Sequence, residues 1–98
     1  MIQNAGTNSI VGNNSAAVGS AGTAIRIFTM HLISGGGGAT VVSLKNGSTS
    51  GGTTWITETG TTSTGKTFNY GHDGVLFPAG CFVVTDANSA DVTITFTY

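Results

Sequence analysis

Four sets of residues have the types and spacing for chemistry. Gly60-Thr61-Thr62-Ser63-Thr64-Gly65-Lys66-Thr67 satisfies the phosphate-loop pattern G-x-x-x-x-G-K-[ST]. That pattern works only where a helix begins at the lysine and turns its N-terminus to the phosphates. Here Phe68, Asn69, Tyr70 and Gly71 follow, alternating like a strand, and no second acidic strand for magnesium is visible. A Thr- and Gly-rich chain makes such matches by chance, so no nucleotide or other cofactor is expected. Cys81 with His31 or His72 has the makings of a nucleophile and base. Nothing local in the sequence pairs them, and a lone thiol just past a tight turn is expected to be packed rather than catalytic. His72-Asp73, with Asp86 and Asp91, offers metal-ligating types. Adjacent residues at a strand end point to opposite faces and chelate poorly, so a solvated turn is expected and no metal. Trp55, Phe68 and Tyr70 have the flat apolar faces that suit a sugar ring, with polar edges on Trp and Tyr. The competing expectation for these three is sandwich core and rim.

Composition bounds the rest. The chain has 98 residues, enough for one domain. Charged residues make up 7% of it, with a net charge of -1; soluble domains average about 25%. Its polar surface must come mainly from Thr, Ser, Asn and Gly, which hydrogen-bond well and repel little. Such a surface suits packing against copies of itself. Arg26, Lys45 and Lys66 are scattered and balanced by acids, which excludes a phosphate-binding stripe, so nucleic acid is not expected as a partner. Cys81 is alone, so there is no intrachain disulfide. No basic segment followed by an apolar one opens the sequence, so no secretion signal is expected. No apolar run reaches spanning length for a membrane helix.

The elements that must position these residues are strands. No window shows a 3.6-residue period. Residues 1–22 mix Asn, Gly, Ser and Ala with sparse hydrophobes and read as an extended arm that the sheet or partners must hold. Ile10-Val11 and Ala16–Val18 are short strand candidates within it. Residues 23–98 read as the domain proper. Four glycines, 35–38, between two apolar runs predict a hairpin. Asn46-Gly47 and Pro78-Ala79-Gly80 predict turns, the second with Pro and Gly at the second and fourth positions. The ending alternates cleanly, with Val92, Ile94, Phe96 and Tyr98 in and Asp91, Thr93, Thr95 and Thr97 out. About seven to eight short strands at this spacing predict an all-β fold, an antiparallel β-sandwich or small jelly roll.

The longest uninterrupted apolar run is residues 24–33. By parity, Ile25, Ile27, Thr29, His31 and Ile33 share one face; Ala24, Arg26, Phe28, Met30 and Leu32 share the other. Both faces are mainly apolar, so cover is expected on both. The home core is expected to take Ile25, Ile27, Val42, Leu44, Ile94 and Phe96, or their opposite-parity mates. A sister subunit is then expected on Phe28, Met30 and Leu32, with Ile10 and Val11 of the arm as further interface candidates.

The hairpin pair IRIFTMHLI…ATVVSLKNG, the segment GVLFPAGCFVV and the ending ADVTITFTY resemble small all-β virion proteins of tailed bacteriophages, of the kind marine and cyanobacterial phages encode. The resemblance covers roughly residues 23–98 and carries no catalytic signature. It implies a non-enzymatic capsid decoration or cement protein, or a tail or fibre part. It implies a homo-oligomer, typically a trimer, that bridges major capsid subunits at the virion surface after synthesis in the host cytoplasm. The alternative it allows is a fibre-tip or knob domain that recognises host surface glycan, for which Trp55, Tyr70 and His72 are the candidate residues.

Overall fold

In the computed structural model, residues 5–11, 15–35, 39–60, 65–86 and 89–98 are described. Among them there are nine strands and no helix: β1 (Ala5–Val11), β2 (Ala16–Ala17), β3 (Ile25–Ser34), β4 (Thr40–Asn46), β5 (Thr53–Gly60), β6 (Lys66–Asn69), β7 (Val75–Phe77), β8 (Cys81–Val84) and β9 (Ser89–Thr97). Every pairing is antiparallel. One sheet, A, runs β1-β9-β3-β6 with β7 also on β3; the other, B, runs β2-β8-β4-β5. The fold is the β-sandwich expected from the alternation.

β3 and β9 form the centre of sheet A, and their pairing explains how one strand became apolar on both parities. Ile27 faces Phe96 and Thr29 faces Thr95, so Phe28 is an extra residue on β3. A bulge of this kind moves the following residues to the opposite parity. Ile25 and Ile27 before it, and Met30 and Leu32 after it, are therefore all fully buried on the same side. Met30 and Leu32 are thus core residues of the single chain, not the expected subunit interface. Of that trio only Phe28 is left partly exposed. All six residues expected in the core, Ile25, Ile27, Val42, Leu44, Ile94 and Phe96, are in it, joined by Val18, Phe77, Cys81, Val83 and Val92.

The bulge also splits the edge beside it. β7 pairs with Ile25–Ile27 and β6 with Thr29–Leu32, so the two are one strand interrupted opposite Phe28. Residues 70–74 loop out at the break. The Tyr70 N–H donates to the Phe28 carbonyl at 2.9 Å, and Arg26 Nη1 donates to the Asp73 carbonyl at 3.0 Å. Gly74 closes the excursion at φ +66°, where a side chain would run into the Ile27 carbonyl oxygen.

One expectation about connectivity is corrected. β3 and β4 do not form a hairpin: β3 is in sheet A and β4 in sheet B, so the glycine run joins the layers. Each strand has an apolar side (Met30 and Leu32; Val42 and Leu44), and facing across the core buries both. Where it is described, the segment read as an arm, residues 1–22, is held by the sheets. β1 pairs with β9 over Ala5–Val11, and β2 pairs with β8. The side chains of Ile10 and Val11 fall outside the described residues. The Pro78 turn is as expected, with Gly80 N–H donating to the Phe77 carbonyl at 3.2 Å.

Candidate functional site

The best-formed cluster of candidate residues lies where β5 faces the interrupted β6–β7 edge across the sandwich. Lys45 pairs with Thr54 and Leu44 with Ile56, leaving Trp55 as the extra residue of a second bulge. Its ring lies 5.2 Å from that of Phe77, tilted by 32°. Phe77 is fully buried, whereas Trp55 is 45% exposed. The indole is thus propped from within by a fixed ring and open to solvent outside, the arrangement an apolar stacking surface needs. Further along β5, Tyr70 Oη donates to Glu58 Oε2 at 3.0 Å, tying the two sheets together. Burial, then the Glu58 hydrogen bond and charge, hold the Tyr70 phenol well above its usual range. The phenol stays a donor at any ordinary pH. Trp55, Glu58 and Tyr70 therefore share one seam, while His72 is exposed in the excursion after Tyr70.

The other chemical sets are not assembled. Cys81 is buried in the core with its thiol pushed up to about 12 by burial. His31 points out of sheet A, the side opposite Met30 and Leu32, and its Nδ1 lies 2.7 Å from Thr67 Oγ1. Sheet A therefore separates thiol and imidazole. Lys66 opens strand β6 and lies 5.2 Å from the Phe68 ring centre, so no helix N-terminus follows the phosphate-loop pattern. Residues 61–64 of that pattern lie outside the described residues. Asp86 is occupied in architecture: its carboxylate accepts from Thr40 Oγ1 at 2.7 Å and from Val41 N–H at 2.8 Å. Among the described residues no group of three or more His, Cys, Asp or Glu could hold a metal.

The outer faces of the two sheets differ. On sheet A the outward positions of β3 and β9 include Thr29 and Thr95, whose hydroxyls meet at 2.6 Å. On sheet B, Cys81 and Val83 point in, so Phe82 and Val84 point out, both half-buried. Val41 on neighbouring β4 is 42% exposed. β8 is a strand apolar on both faces, as is the shorter β7, whose Leu76 is 44% exposed opposite the buried Phe77; sequence reasoning passed over β8 in favour of β3. Its signal was present: Cys81-Phe82-Val83-Val84 is an apolar run with no bulge in its pairing to β4.

Comparison with protein-family models, curated proteins and solved structures found no match to this chain.

Proposed function

We propose that this protein is a non-enzymatic structural component of a bacteriophage virion, a capsid decoration or cement protein that associates with copies of itself and bridges major capsid subunits. The observation that carries this reading is the outer edge of β1, which no other strand pairs among the described residues. β1 ends sheet A and pairs with β9 through seven residues without a bulge. Its sequence, Ala-Gly-Thr-Asn-Ser-Ile-Val, has neither charge nor proline. Strand edges are ordinarily guarded by charge, proline or bulges, because an unguarded row of backbone donors and acceptors invites another strand. The other edges are guarded: β5 by its Trp55 bulge and Glu58, the β6–β7 edge by its break, and the β2 edge by a strand of only two residues. An adhesive protein gains from one open edge, since a neighbour's extended segment can add to it by main-chain hydrogen bonds alone.

Mass spectrometry of purified virions, made from a genome that encodes this chain, tests the reading. The expected result is copies in fixed ratio to the major capsid protein. Abundance in the infected cell together with absence from particles would sink it.

A fibre-tip module that binds host glycan is the alternative, favoured by the propped and exposed Trp55. Binding on a glycan array that Trp55→Ala abolishes would support it. Binding that survives that change would remove the indole from consideration.

A further inference from the structure

We propose that Asn46-Gly47 is a deamidation site that the turn at Pro78 holds silent, so that loss of ammonia from Asn46 records an opening of the corner where β4 meets β8. Of the chain's asparagines only Asn46 is followed by glycine. With no side chain beside it, the Gly47 nitrogen is the least hindered kind of nucleophile towards the preceding amide. The reaction needs nothing but the chain and water. The Gly47 nitrogen bonds to Asn46 Cγ, the Cγ–Nδ2 bond breaks, and the displaced nitrogen leaves as ammonia with the proton from Gly47. The cyclic imide then adds one water at either of its carbonyls. One opening gives aspartate; the other gives isoaspartate, whose main chain runs through the former side chain and is longer by a carbon.

The fold restrains both partners of that first bond. The Gly47 N–H donates to the carbonyl of the buried Gly80 at 2.9 Å, so the proton that must leave is engaged and shielded from base in solvent. Asn46 Oδ1 accepts from the Ala79 N–H at 3.0 Å, which anchors the side-chain amide to the same turn. That donor alone would favour attack, by drawing charge towards the oxygen; the hold therefore lies on the nitrogen and on the backbone. Asn46 is paired on both sides, with Thr53 of β5 and Cys81 of β8. Ring closure must swing its peptide out of the extended range that both ladders enforce. The corner also has no slack. A Cβ on Gly52 would lie 2.6 Å from the Asn46 carbonyl oxygen, and one on Gly80 would lie 2.9 Å from the Gly22 nitrogen. Reaction thus waits on local opening. Isoaspartate at the last ladder position of β4 would then keep the corner from closing as before, which makes the change one-way.

Peptide mapping by mass spectrometry tests this on the full-length chain, aged in mildly alkaline buffer with and without unfolding urea. Aspartate plus isoaspartate at position 46 should form at least about tenfold more slowly in buffer than in urea. Pro78→Gly loosens the exposed turn and should speed conversion in buffer roughly threefold, with the rate in urea unchanged. Thr29→Val, in the other sheet, should leave both rates as in the wild type. Amide hydrogen exchange on the wild type adds a readout that needs no variant to fold: the Gly47 N–H should exchange slowly. Equal wild-type rates in buffer and urea overturn the proposal, as does a Gly47 amide that exchanges like an exposed loop. So does a slow wild-type rate that a folded Pro78→Gly leaves unchanged, or that Thr29→Val raises as much, since the turn would then not be the guard. Neither outcome depends on self-association or on a virion role.

Discussion

The two outer faces of the sandwich are built from the same kind of strand yet finished differently. On sheet A the outward groups satisfy each other. Thr29 meets Thr95, His31 meets Thr67, and Arg26 reaches the Asp73 carbonyl. On sheet B the outward groups along β8 and β4 include Phe82, Val84 and Val41, which have no such partners to find within a polar surface. Neither face is uniform, since Leu76 is 44% exposed on sheet A and Ser43 and Lys45 stand beside Val84 and Phe82 on sheet B. The contrast teaches that a chain with 7% charged residues can hydrate its surface by pairing hydroxyls where it lacks charge.

The largest expected effect tests which side of sheet A is the inside. Met30→Ala should lower stability by about 2–5 kcal/mol, as truncation of a sealed core side chain does. Phe28→Ala, on the outward side, should lower it by clearly less. Urea melts of the two variants decide the matter; equal losses would erase the inside–outside assignment that the Phe28 bulge creates.

Next comes the inward side of β8. Cys81 holds its proton more tightly in the folded chain, at about 12, than its ordinary value of 9.0. Its contribution is therefore intact below pH 9 and is lost as the pH rises towards 12. At about 1.4 kcal/mol per unit this amounts to up to about 4 kcal/mol. Stability measured from pH 8 upward should fall through this window, and Cys81→Ala should flatten the fall. Tyr70, whose phenol is also raised, adds a loss of the same sign at higher pH.

Smaller effects sharpen the contrast between the faces. Thr29→Val strips one hydroxyl from the Thr29–Thr95 pair and should cost about 1 kcal/mol. Val84→Thr, which adds a hydroxyl to the outward side of β8, should change the stability of the isolated subunit by less than about 0.5 kcal/mol. If chemical melts show the reverse order, the paired-hydroxyl account of sheet A fails. Smallest in reach is the latch at the chain's end. Tyr98 Oη accepts from the Ser20 N–H at 2.6 Å, with the ring over Gly19, where φ +61° and the closeness of the phenol leave no room for a side chain. Tyr98→Phe should cost about 1 kcal/mol in the same melts.

How much of this was legible in the sequence depends on whether a strand keeps its parity. β9 alternates without interruption from Val92 to Phe96, so Val92, Ile94 and Phe96 could be placed inside from the letters alone; beyond them the expected parity fails, with Thr97 buried and Tyr98 42% exposed. β3 does not alternate in this way. Its bulge at Phe28 is a property of its pairing with β9, and no single-strand pattern distinguishes one bulged face from two apolar faces. The same blindness affected Trp55, whose inward lean on Phe77 follows from a bulge against β4. The glycine run at 35–38 predicted a hairpin, but composition does not say whether the strands on either side share a sheet, and β3 and β4 lie in different ones. In the phosphate-loop letters, the strand expected after the lysine is there, since β6 begins at Lys66.

One feature of sheet A bears on how the protein is made. β9 lies between β1 and β3, so the last strand in chain order is wedged between two of the earliest. While the chain leaves the ribosome, β1 lacks the neighbour it needs and the ladder edge of β3 that β9 takes stays unpaired until residues 89–97 arrive. Such long-range closure is slow and exposes surface that aggregates. Assembly of this layer therefore waits on residues 89–97, and expression at lower temperature, or with a chaperone holding the nascent chain, should raise the soluble yield.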